Sequence, residues 1–278
     1  MAQDAQTEGN QRRERETTIV AVVGATGTAG SRVIARLKGR GVSVVGVARA
    51  HGVDLISGHG LTEALDGVDV VIDASNPIPP DGHADIVDTL TTATHNLVSA
   101  CAAHEVQRLV VLTPAGVEDP TLDGLPYYAA KRAAKEIVLD GPVPATIVKS
   151  TQWHEFATNP AAVTCDGDEV VAEDWLIQPI AADTVADVLV EAALCQTRAP
   201  RTIAGPQDIR LPELTSKLLA SQGDGRRVRA VQPAVTALAG GALLAPTNAT
   251  VLGPDVDTWL ETVATDGANG LSAEETEC

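Results

Sequence analysis

The chain has 278 residues, of which 44% are hydrophobic and only 2% aromatic. This length suits one large domain, or one domain with a smaller lobe, and the apolar content is enough for a substantial core. The formal net charge of −17 argues against nucleic acid as a partner, because binding phosphates requires clustered Lys and Arg. So acidic a composition indicates a solvated, self-repelling surface, with adaptation to a high-salt cytoplasm as the alternative.

Targeting and metal-binding signals are missing from the sequence. No run reaches the roughly 18 to 20 apolar residues that cross a bilayer, and no export signal is apparent, so we expect a cytoplasmic protein without a membrane partner. The four cysteines form no C-x-x-C pair and the histidines show no metal-ligand spacing, so no metal site is predicted.

Two kinds of segment alternate in the first half of the chain. Short β-branched runs predict strands at residues 19–23, 42–47, 68–72, 109–112 and 146–148. Apolar residues at three- and four-residue spacing predict one-faced helices at residues 31–40, 61–65, 84–104 and 127–139. Because the strand runs are continuously apolar rather than alternating, they predict an α/β fold with a doubly wound parallel sheet covered on both faces.

The regular alternation of predicted strands and helices ends after Lys149. Helices are predicted at 183–194 and 212–220, separated by Pro- and Gly-rich connections. We therefore expect four parts: a flexible N-terminal segment (1–17), a sheet-forming core (18–150), a C-terminal part with returning elements and a small lobe (151–265), and a flexible acidic tail (266–278).

A glycine-rich segment stands between the first predicted strand and the first predicted helix. It reads Gly24-Ala25-Thr26-Gly27-Thr28-Ala29-Gly30. Glycines at such a junction allow a tight turn, let backbone N–H groups approach a phosphate, and let the helix press against the sheet. The turn therefore predicts a dinucleotide pyrophosphate site at Gly24, Thr26, Gly27, Thr28, Ala29 and Gly30.

The spacing G-x-x-G-x-x-G differs from the G-x-G-x-x-G of other dinucleotide folds. With its GATGxxG form, the sequence resembles the atypical, NmrA-like branch of the short-chain dehydrogenase/reductase superfamily over about residues 18–265. The resemblance implies a Rossmann-type sheet that binds NAD(P), with a small C-terminal substrate lobe.

The residues after the second predicted strand bear on the choice of cofactor. Folds that select NAD place an acidic residue there, whereas this chain has Arg49. A guanidinium binds a 2′-phosphate that a carboxylate would repel, so NADP (NADPH) is predicted over NAD. The alternative is that Arg49 is a solvated loop residue.

Further cofactor contacts follow from the resemblance alone. It implies that Asp54 and Leu55 contact the adenine, and that Ala74, Ser75 and Asn76 lie where the cofactor crosses the sheet edge. It also implies that Ser150, Thr151 and Gln152 bind the nicotinamide carboxamide.

A Tyr-x-x-x-Lys pair begins the helix predicted at 127–139. Tyr127 and Lys131 project from the same face, where an ammonium would lower the pKa of the phenol and bind the nicotinamide ribose, leaving the tyrosine to pass a proton to a carbonyl oxygen. Thr113 stands where the superfamily has a substrate-orienting serine, and a threonine hydroxyl donates the same hydrogen bond. The alternative is that Tyr127 and Tyr128 are packing residues and that Lys131 lies on a solvated face.

A cluster of ring side chains follows the last predicted strand. The resemblance implies that Trp153, His154 and Phe156 line the substrate pocket; packing beneath the lobe is the alternative. His154 is also a candidate acid or base.

Three functions fit these residues. The first is NADPH-dependent transfer of hydride to a carbonyl, quinone or similar small molecule by Tyr127, Lys131 and Thr113. The second is a non-catalytic NADP-binding sensor, and the third is a redox-neutral isomerase or cyclase. A small-molecule substrate and a possible homodimer are expected.

Overall fold

The computed structural model describes residues 18–78, 85–195 and 201–269. Both predicted flexible ends fall mainly outside these ranges. In chain order the elements are β1 (Ile19–Val23), α1 (Thr28–Gly39), β2 (Ser43–Val47), α2 (Leu61–Leu65), β3 (Val70–Asp73), α3 (Ile86–Ala103), β4 (Arg108–Pro114), α4 (Pro126–Asp140), β5 (Ala145–Ser150), β6 (Val163–Asp166), β7 (Glu169–Glu173), β8 (Leu176–Ile177), α5 (Ala182–Leu194), β9 (Arg201–Ala204), β10 (Ile209–Arg210), α6 (Leu211–Ser221), β11 (Arg227–Val231), α7 (Thr236–Ala239), β12 (Thr250–Val251) and α8 (Val256–Asn269).

The main sheet confirms the predicted fold class. It is a seven-stranded parallel sheet of order β12-β9-β5-β4-β3-β1-β2, flanked by helices. The order reverses at β1, whose Val20 pairs with Val44 of β2 on one side and with Val70 of β3 on the other. The carboxyl end of β1 therefore lies at the switch point of a Rossmann-type sheet, where such sheets bind ligands.

The chain divides into two compact units that are discontinuous in sequence. Unit 1 takes its described residues from Met1–Leu112, Ala130–Ile147 and Ala186–Ala199, and unit 2 takes its own from Thr113–Ala129, Val148–Val185 and Pro200–Cys278.

Unit 1 is built on the apolar strands that the sequence predicted. Residues 20–23 of β1 are fully or almost fully buried. Helix α1 packs one face inward, because Ala29, Val33 and Leu37 follow the three- and four-residue spacing of a one-faced helix and are all buried. The five predicted strands and four predicted helices of this half are confirmed, with ends displaced by no more than a few residues.

Unit 2 contains elements that the sequence analysis missed. Helices α5, which lies mostly in unit 1, and α6 were predicted and are confirmed, but strands β6 to β12 and helices α7 and α8 were not predicted. The three-stranded sheet β11-β7-β6 and the two-stranded sheet β10-β8 consist of strands of two to five residues. Strand β6 has the exposure pattern of an edge strand, buried only at Val163. Runs this short carry too little periodicity to be recognised.

The described ranges contain no helix long and apolar enough to cross a membrane. They also contain no group of three or more His, Cys, Asp or Glu residues arranged for a metal ion.

Candidate functional site

The glycine turn joins β1 to α1 in unit 1. Gly24 has a φ of +79°, and a Cβ there would lie 2.8 Å from the Ala74 carbonyl oxygen and 2.9 Å from the Ser75 Cα. A Cβ on Gly30 would lie 2.0 Å from the Gly24 carbonyl oxygen. Larger residues at these positions would force the backbone apart, so the two glycines bring the turn, the start of α1 and the end of β3 into close contact.

The start of α1 suits an anion. Its cap residue is Gly27, which has no side chain to bond the first N–H groups of the helix, and the turn from Thr28 to Ser31 is uncharged. Residues Thr26, Gly27 and Thr28 are exposed. Helix N-termini carry partial positive charge and unsatisfied N–H groups, so these residues fit the pyrophosphate that the sequence predicts.

Arg49 lies in a short 3-10 helix, Arg49–His51, directly after β2, and it is exposed. The neighbouring Asp54 orders its own loop: its Oδ1 accepts from the Ile56 N–H at 3.1 Å, and its Oδ2 accepts from the Ser57 hydroxyl at 2.7 Å. The Ser57 hydroxyl, the backbone N–H groups and the charge of Arg49 hold the pKa of Asp54 below its ordinary value.

The loop that contains Asp54 is also fixed from helix α3. The Asn96 side chain donates to the carbonyl oxygens of Leu55 at 2.9 Å and Ile56 at 3.0 Å. Leu55 is partly buried against the unit 1 core. Sequence reasoning missed Asn96, because the partner groups are backbone atoms 41 and 40 residues away.

The Lys131 side chain of helix α4 contacts the backbone that follows β3. Its Nζ donates to the Ser75 carbonyl oxygen at 3.2 Å, and the Ser75 N–H donates to Asp73 Oδ1 at 2.9 Å. Ala74, Ser75 and Asn76 follow β3 as predicted, with Asn76 exposed. The predicted lysine therefore contacts the same backbone segment against which Gly24 packs.

Asp73 and Lys131 are partly buried ionisable groups that interact electrostatically. Burial raises the pKa of Asp73, and the positive charge of Lys131 opposes that rise. Burial lowers the pKa of Lys131, and the negative charge of Asp73 opposes that fall. Sequence reasoning missed Asp73; the available signal was an acidic residue ending the apolar run Val70-Val71-Ile72.

Tyr127 lies in the first turn of α4 in unit 2 and is partly buried. Burial raises its pKa to about 12, which is opposite in direction to the lowering expected from a neighbouring ammonium. Its ring meets Tyr128 edge-on, with centroids 5.9 Å apart. Tyr128 is buried, and its hydroxyl accepts a hydrogen bond from the Gln152 side-chain nitrogen at 3.2 Å.

Four predicted site residues of unit 2 carry buried polar atoms that lack a partner. Within the described residues, Thr113 Oγ1, Thr151 Oγ1, Gln152 Oε1 and His154 Nδ1 make no hydrogen bond. Leaving a buried polar atom unpaired costs about 1–3 kcal/mol, so these atoms fit residues that bond a bound molecule. Ser150 differs, because its Oγ accepts from the Trp153 indole N–H at 3.0 Å.

The ring cluster of unit 2 is divided between partly buried and fully buried positions. Trp153 and Phe156 are partly buried, and Phe156 lies against Trp175 with centroids 5.5 Å apart. His154 has no exposed surface, and its ring packs edge-on against Trp259. His154 is enclosed by the unit 2 core, which agrees with the packing alternative, but its buried Nδ1 makes no hydrogen bond within the described residues.

His154 is held by one ring nitrogen. Its Nε2 lies 3.0 Å from the Pro179 carbonyl oxygen, which can only accept, so Nε2 carries the proton. Burial lowers the pKa of His154 to about 4, and the ring is therefore neutral at pH 7.

Comparison with known proteins agrees with these observations. Residues 24–195 match the model of a family described as NAD(P)H-binding. No curated protein sequence matches the chain. One similar solved structure is a short-chain dehydrogenase/reductase superfamily protein from Agrobacterium tumefaciens with bound NAD, which is 16% identical, covers 90% of this chain and 97% of its own, and has a TM-score of 0.66.

Two further structures are enzymes of different activity. An NADPH-dependent quinone oxidoreductase from Escherichia coli is 15% identical, with coverage of 88% and 99% and a TM-score of 0.62. A UDP-N-acetylglucosamine 4-epimerase from Bacillus cereus is 15% identical, with coverage of 93% and 99% and a TM-score of 0.66. Because these sequence identities are low, the structural similarity shows the fold alone. That fold is the Rossmann-type sheet that the GATGTAG turn predicted. Since the family match extends over more than half of the chain, this protein belongs to the NAD(P)H-binding family.

Proposed function

We propose that this protein is an NADPH-dependent oxidoreductase that reduces a carbonyl group or a quinone of a small molecule. Bound NADPH would supply a hydride, that is, a hydrogen nucleus with two electrons, to the acceptor. The chain supplies the proton that completes the reduction and the groups that bind and orient both molecules. The products are NADP⁺ and the corresponding alcohol or hydroquinone.

The position of Lys131 beside the glycine turn is the observation that carries this proposal. Gly24 packs against Ala74 and Ser75, and the Lys131 ammonium donates to the Ser75 carbonyl oxygen. An ammonium at that point suits a ribose hydroxyl of a dinucleotide whose pyrophosphate is bound by the start of α1. The Asp73 carboxylate favours the charged form of this lysine.

Tyr127 is the proposed proton donor. It precedes Lys131 by four residues on α4, so the two side chains leave the same face of one helix. A phenol whose pKa is about 12 holds its proton at pH 7, as an acid must before it protonates the oxygen of a reduced carbonyl. The unpaired hydroxyl of Thr113 is the proposed donor that orients the acceptor oxygen.

The preference for NADPH over NADH rests on Arg49. Its exposed guanidinium follows β2, and no carboxylate occupies its position. We expect Arg49→Glu to weaken NADPH binding by at least about tenfold, because it replaces an attractive charge by a repulsive one, and to leave NADH binding within about twofold. Equal losses for the two cofactors would exclude Arg49 as the 2′-phosphate ligand.

A second function, cofactor binding without turnover, is favoured by one observation. Burial raises the pKa of Tyr127, so the phenol gives up its proton less readily than a free tyrosine does. A protein of this kind would bind NADPH and signal its presence while Tyr127 contributes only packing.

Loss of NADPH absorbance with a panel of aldehydes, ketones and quinones separates these functions. Quinones are included because the similar Escherichia coli protein is named a quinone oxidoreductase. For the oxidoreductase, we expect Tyr127→Phe to lower kcat by about 10²- to 10⁴-fold, as the loss of a general acid does. Tyr128→Phe is the matched control, because it removes the adjacent phenol hydroxyl, which is bonded to Gln152 instead.

Each other outcome selects a different function. Tight NADPH binding with no turnover in any variant would support the non-catalytic protein. Product formation at constant cofactor absorbance would support a redox-neutral isomerase or cyclase.

A further inference from the structure

The loop between β2 and α2 is rich in conformationally permissive residues. This loop, residues 52–60, contains three glycines in the left-handed region, with a φ of +79° at Gly52 and +76° at both Gly58 and Gly60. Glycine adopts this conformation at no steric cost, but it loses more backbone freedom on ordering than any other residue. A loop with three such glycines therefore depends on further contacts to keep a single conformation.

Hydrogen bonds inside the loop provide part of this support. The Asp54 carboxylate accepts from the N–H groups of Ile56 and Ser57, at 3.1 and 3.3 Å. The Asp54 N–H donates to the His59 carbonyl oxygen at 3.0 Å. These bonds fix the loop residues relative to one another, but they do not fix the loop relative to the helices of unit 1.

Asn96 joins the loop to helix α3. Its side-chain nitrogen donates to the carbonyl oxygens of Leu55 at 2.9 Å and Ile56 at 3.0 Å. A carboxamide nitrogen carries two donors and a carbonyl oxygen only accepts, so the two bonds use both N–H groups and fix the orientation of the amide. The amide also fills the space beside Gly58, because a Cβ on Gly58 would lie 3.7 Å from both Asn96 Cγ and Asn96 Nδ2. Asn96 therefore contacts three residues of the loop.

Helix α3 is a firm support for these bonds. Its buried residues include Ala93 and Leu97, on either side of Asn96 in the sequence. Leu97 belongs to the same core cluster as Val53, and Leu55 packs against that cluster. The loop is thus joined to unit 1 both by its apolar side chains and, through Asn96, by its backbone carbonyl groups.

We propose that Asn96 is a positioning residue for the adenine end of the cofactor, because it holds the backbone of Leu55 and Ile56 in the conformation that binds the ring. The inference rests on the proposed binding of NADPH and on the predicted contact of Asp54 and Leu55 with adenine. Asn96 acts through the loop and needs no contact with the cofactor.

A loop held in this way also distinguishes adenine from other bases. The Ser57 hydroxyl, backbone N–H groups and Arg49 hold the pKa of Asp54 below its ordinary value, so the carboxylate is ionised at pH 7 and only accepts hydrogen bonds. Each carboxylate oxygen can accept two bonds, and Oδ1 accepts one from Ile56. The 6-amino group of adenine can donate the second, whereas hypoxanthine presents a carbonyl oxygen that the carboxylate repels. Base selectivity therefore reports the position of the loop.

Binding of NADPH and of its reduced hypoxanthine analogue to full-length protein tests the inference without requiring turnover. Asn96→Asp keeps the shape of the side chain but directs acceptors at two carbonyl oxygens, and Asn96→Ala removes the amide. His95→Ala is the matched control, because His95 is an exposed neighbour on the same helix. Urea unfolding gives the folded fraction of each variant. Hydrogen exchange compares residues 53–60 of the loop with residues 86–103 of α3.

The expected loss is specific to the loop and to the base. Both Asn96 variants bind NADPH about tenfold more weakly than the parent, equal to about 1.4 kcal/mol, because the cofactor must then order the loop. Their preference for NADPH over the hypoxanthine analogue falls by at least about threefold. Without cofactor, residues 53–60 exchange faster than in the parent, whereas residues 86–103 exchange at the parent rate. His95→Ala stays within about twofold of the parent in every measurement.

Three results overturn the inference while the proposed function stands. If the folded Asn96 variants bind NADPH as tightly as the parent does, Asn96 does not position the loop. If they lose equal affinity for both dinucleotides, Asn96 has only a structural role. If the parent binds NADPH without preferring adenine to hypoxanthine, the predicted adenine contact is wrong and the inference fails with it. Failure of the parent to bind NADPH at all would instead refute the proposed function, and the inference with it.

Discussion

Replacing Gly30 with alanine is expected to reduce both stability and cofactor affinity. Gly30 is buried in the first turn of α1. An added Cβ would lie 2.0 Å from the Gly24 carbonyl oxygen, 2.7 Å from the Gly24 carbonyl carbon and 3.2 Å from the Ala25 Cα. All three atoms are backbone atoms. Because nonbonded carbon and oxygen atoms do not approach within about 3 Å, the glycine turn must open by about 1 Å.

The magnitude follows from two opposing terms. Overpacking against backbone, which cannot rotate away, costs about 3 kcal/mol, at the upper end of the usual range. Alanine recovers about 1 kcal/mol of helix propensity relative to glycine. The net loss is about 2 kcal/mol in the free energy of unfolding. A displaced turn also misaligns the N–H groups at the start of α1, so we expect NADPH to bind at least about tenfold more weakly.

Gly39→Ala is the matched control, because Gly39 is the last residue of the same helix and a Cβ there meets no atom within 4 Å among the described residues. It is expected to change the free energy of unfolding by about +0.5 kcal/mol and to leave NADPH binding unchanged. Urea unfolding and NADPH fluorescence titration measure both quantities. If Gly30→Ala unfolds at the same urea concentration as Gly39→Ala and binds NADPH equally well, the structure of the glycine turn does not depend on the close approach of Gly30 to Gly24.

Three further perturbations concern buried or partly buried polar groups. Thr113→Val removes an unpaired buried hydroxyl, so it should lower kcat while leaving the free energy of unfolding unchanged or raising it by about 1 kcal/mol. The control is Thr146→Val, which removes another such hydroxyl outside the proposed site. It should change the free energy of unfolding by a similar amount and leave kcat unaffected. Asp73→Asn removes the charge that opposes the fall in the pKa of Lys131. The pH above which NADPH binding weakens should therefore be lower in Asp73→Asn than in the parent. His154 is neutral when folded, with a pKa of about 4, and about 6.5 when unfolded. Its contribution to stability, about 3 kcal/mol at most, is full above pH 6.5 and is lost as the pH falls toward 4, so His154→Gln should flatten the fall in stability over that interval.

Opposite results would contradict each interpretation. Equal kcat losses in Thr113→Val and Thr146→Val would mean that the Thr113 hydroxyl has no special role. An unchanged alkaline limit of binding in Asp73→Asn would mean that Asp73 does not support the charge of Lys131. The same acid dependence of unfolding in His154→Gln and in the parent would mean that His154 does not limit stability at low pH.

Local patterns in the sequence determined the nucleotide-binding half of the fold. The β1 run, the glycine turn and the one-faced helix α1 lie within 21 consecutive residues, Ile19–Gly39, and are confirmed with small boundary shifts. Strand and helix periods depend on neighbours a few residues apart, and a glycine turn is fixed by backbone sterics, so the sequence alone was enough. The short strands β6 to β12 were beyond this reasoning, because their two to five residues are held by pairing with distant segments.

The candidate site shows the same division. The sequence predicted site roles for Gly24, Gly30, Arg49 and Lys131 from motif and position. Only the tertiary structure placed Lys131 on a carbonyl oxygen 56 residues away, with Asp73 as its charged neighbour, and only the structure enclosed His154 against Trp259. Burial and charge environment are sums over residues far apart in the chain, so pKa values and the choice between a pocket residue and a core residue are decided by packing.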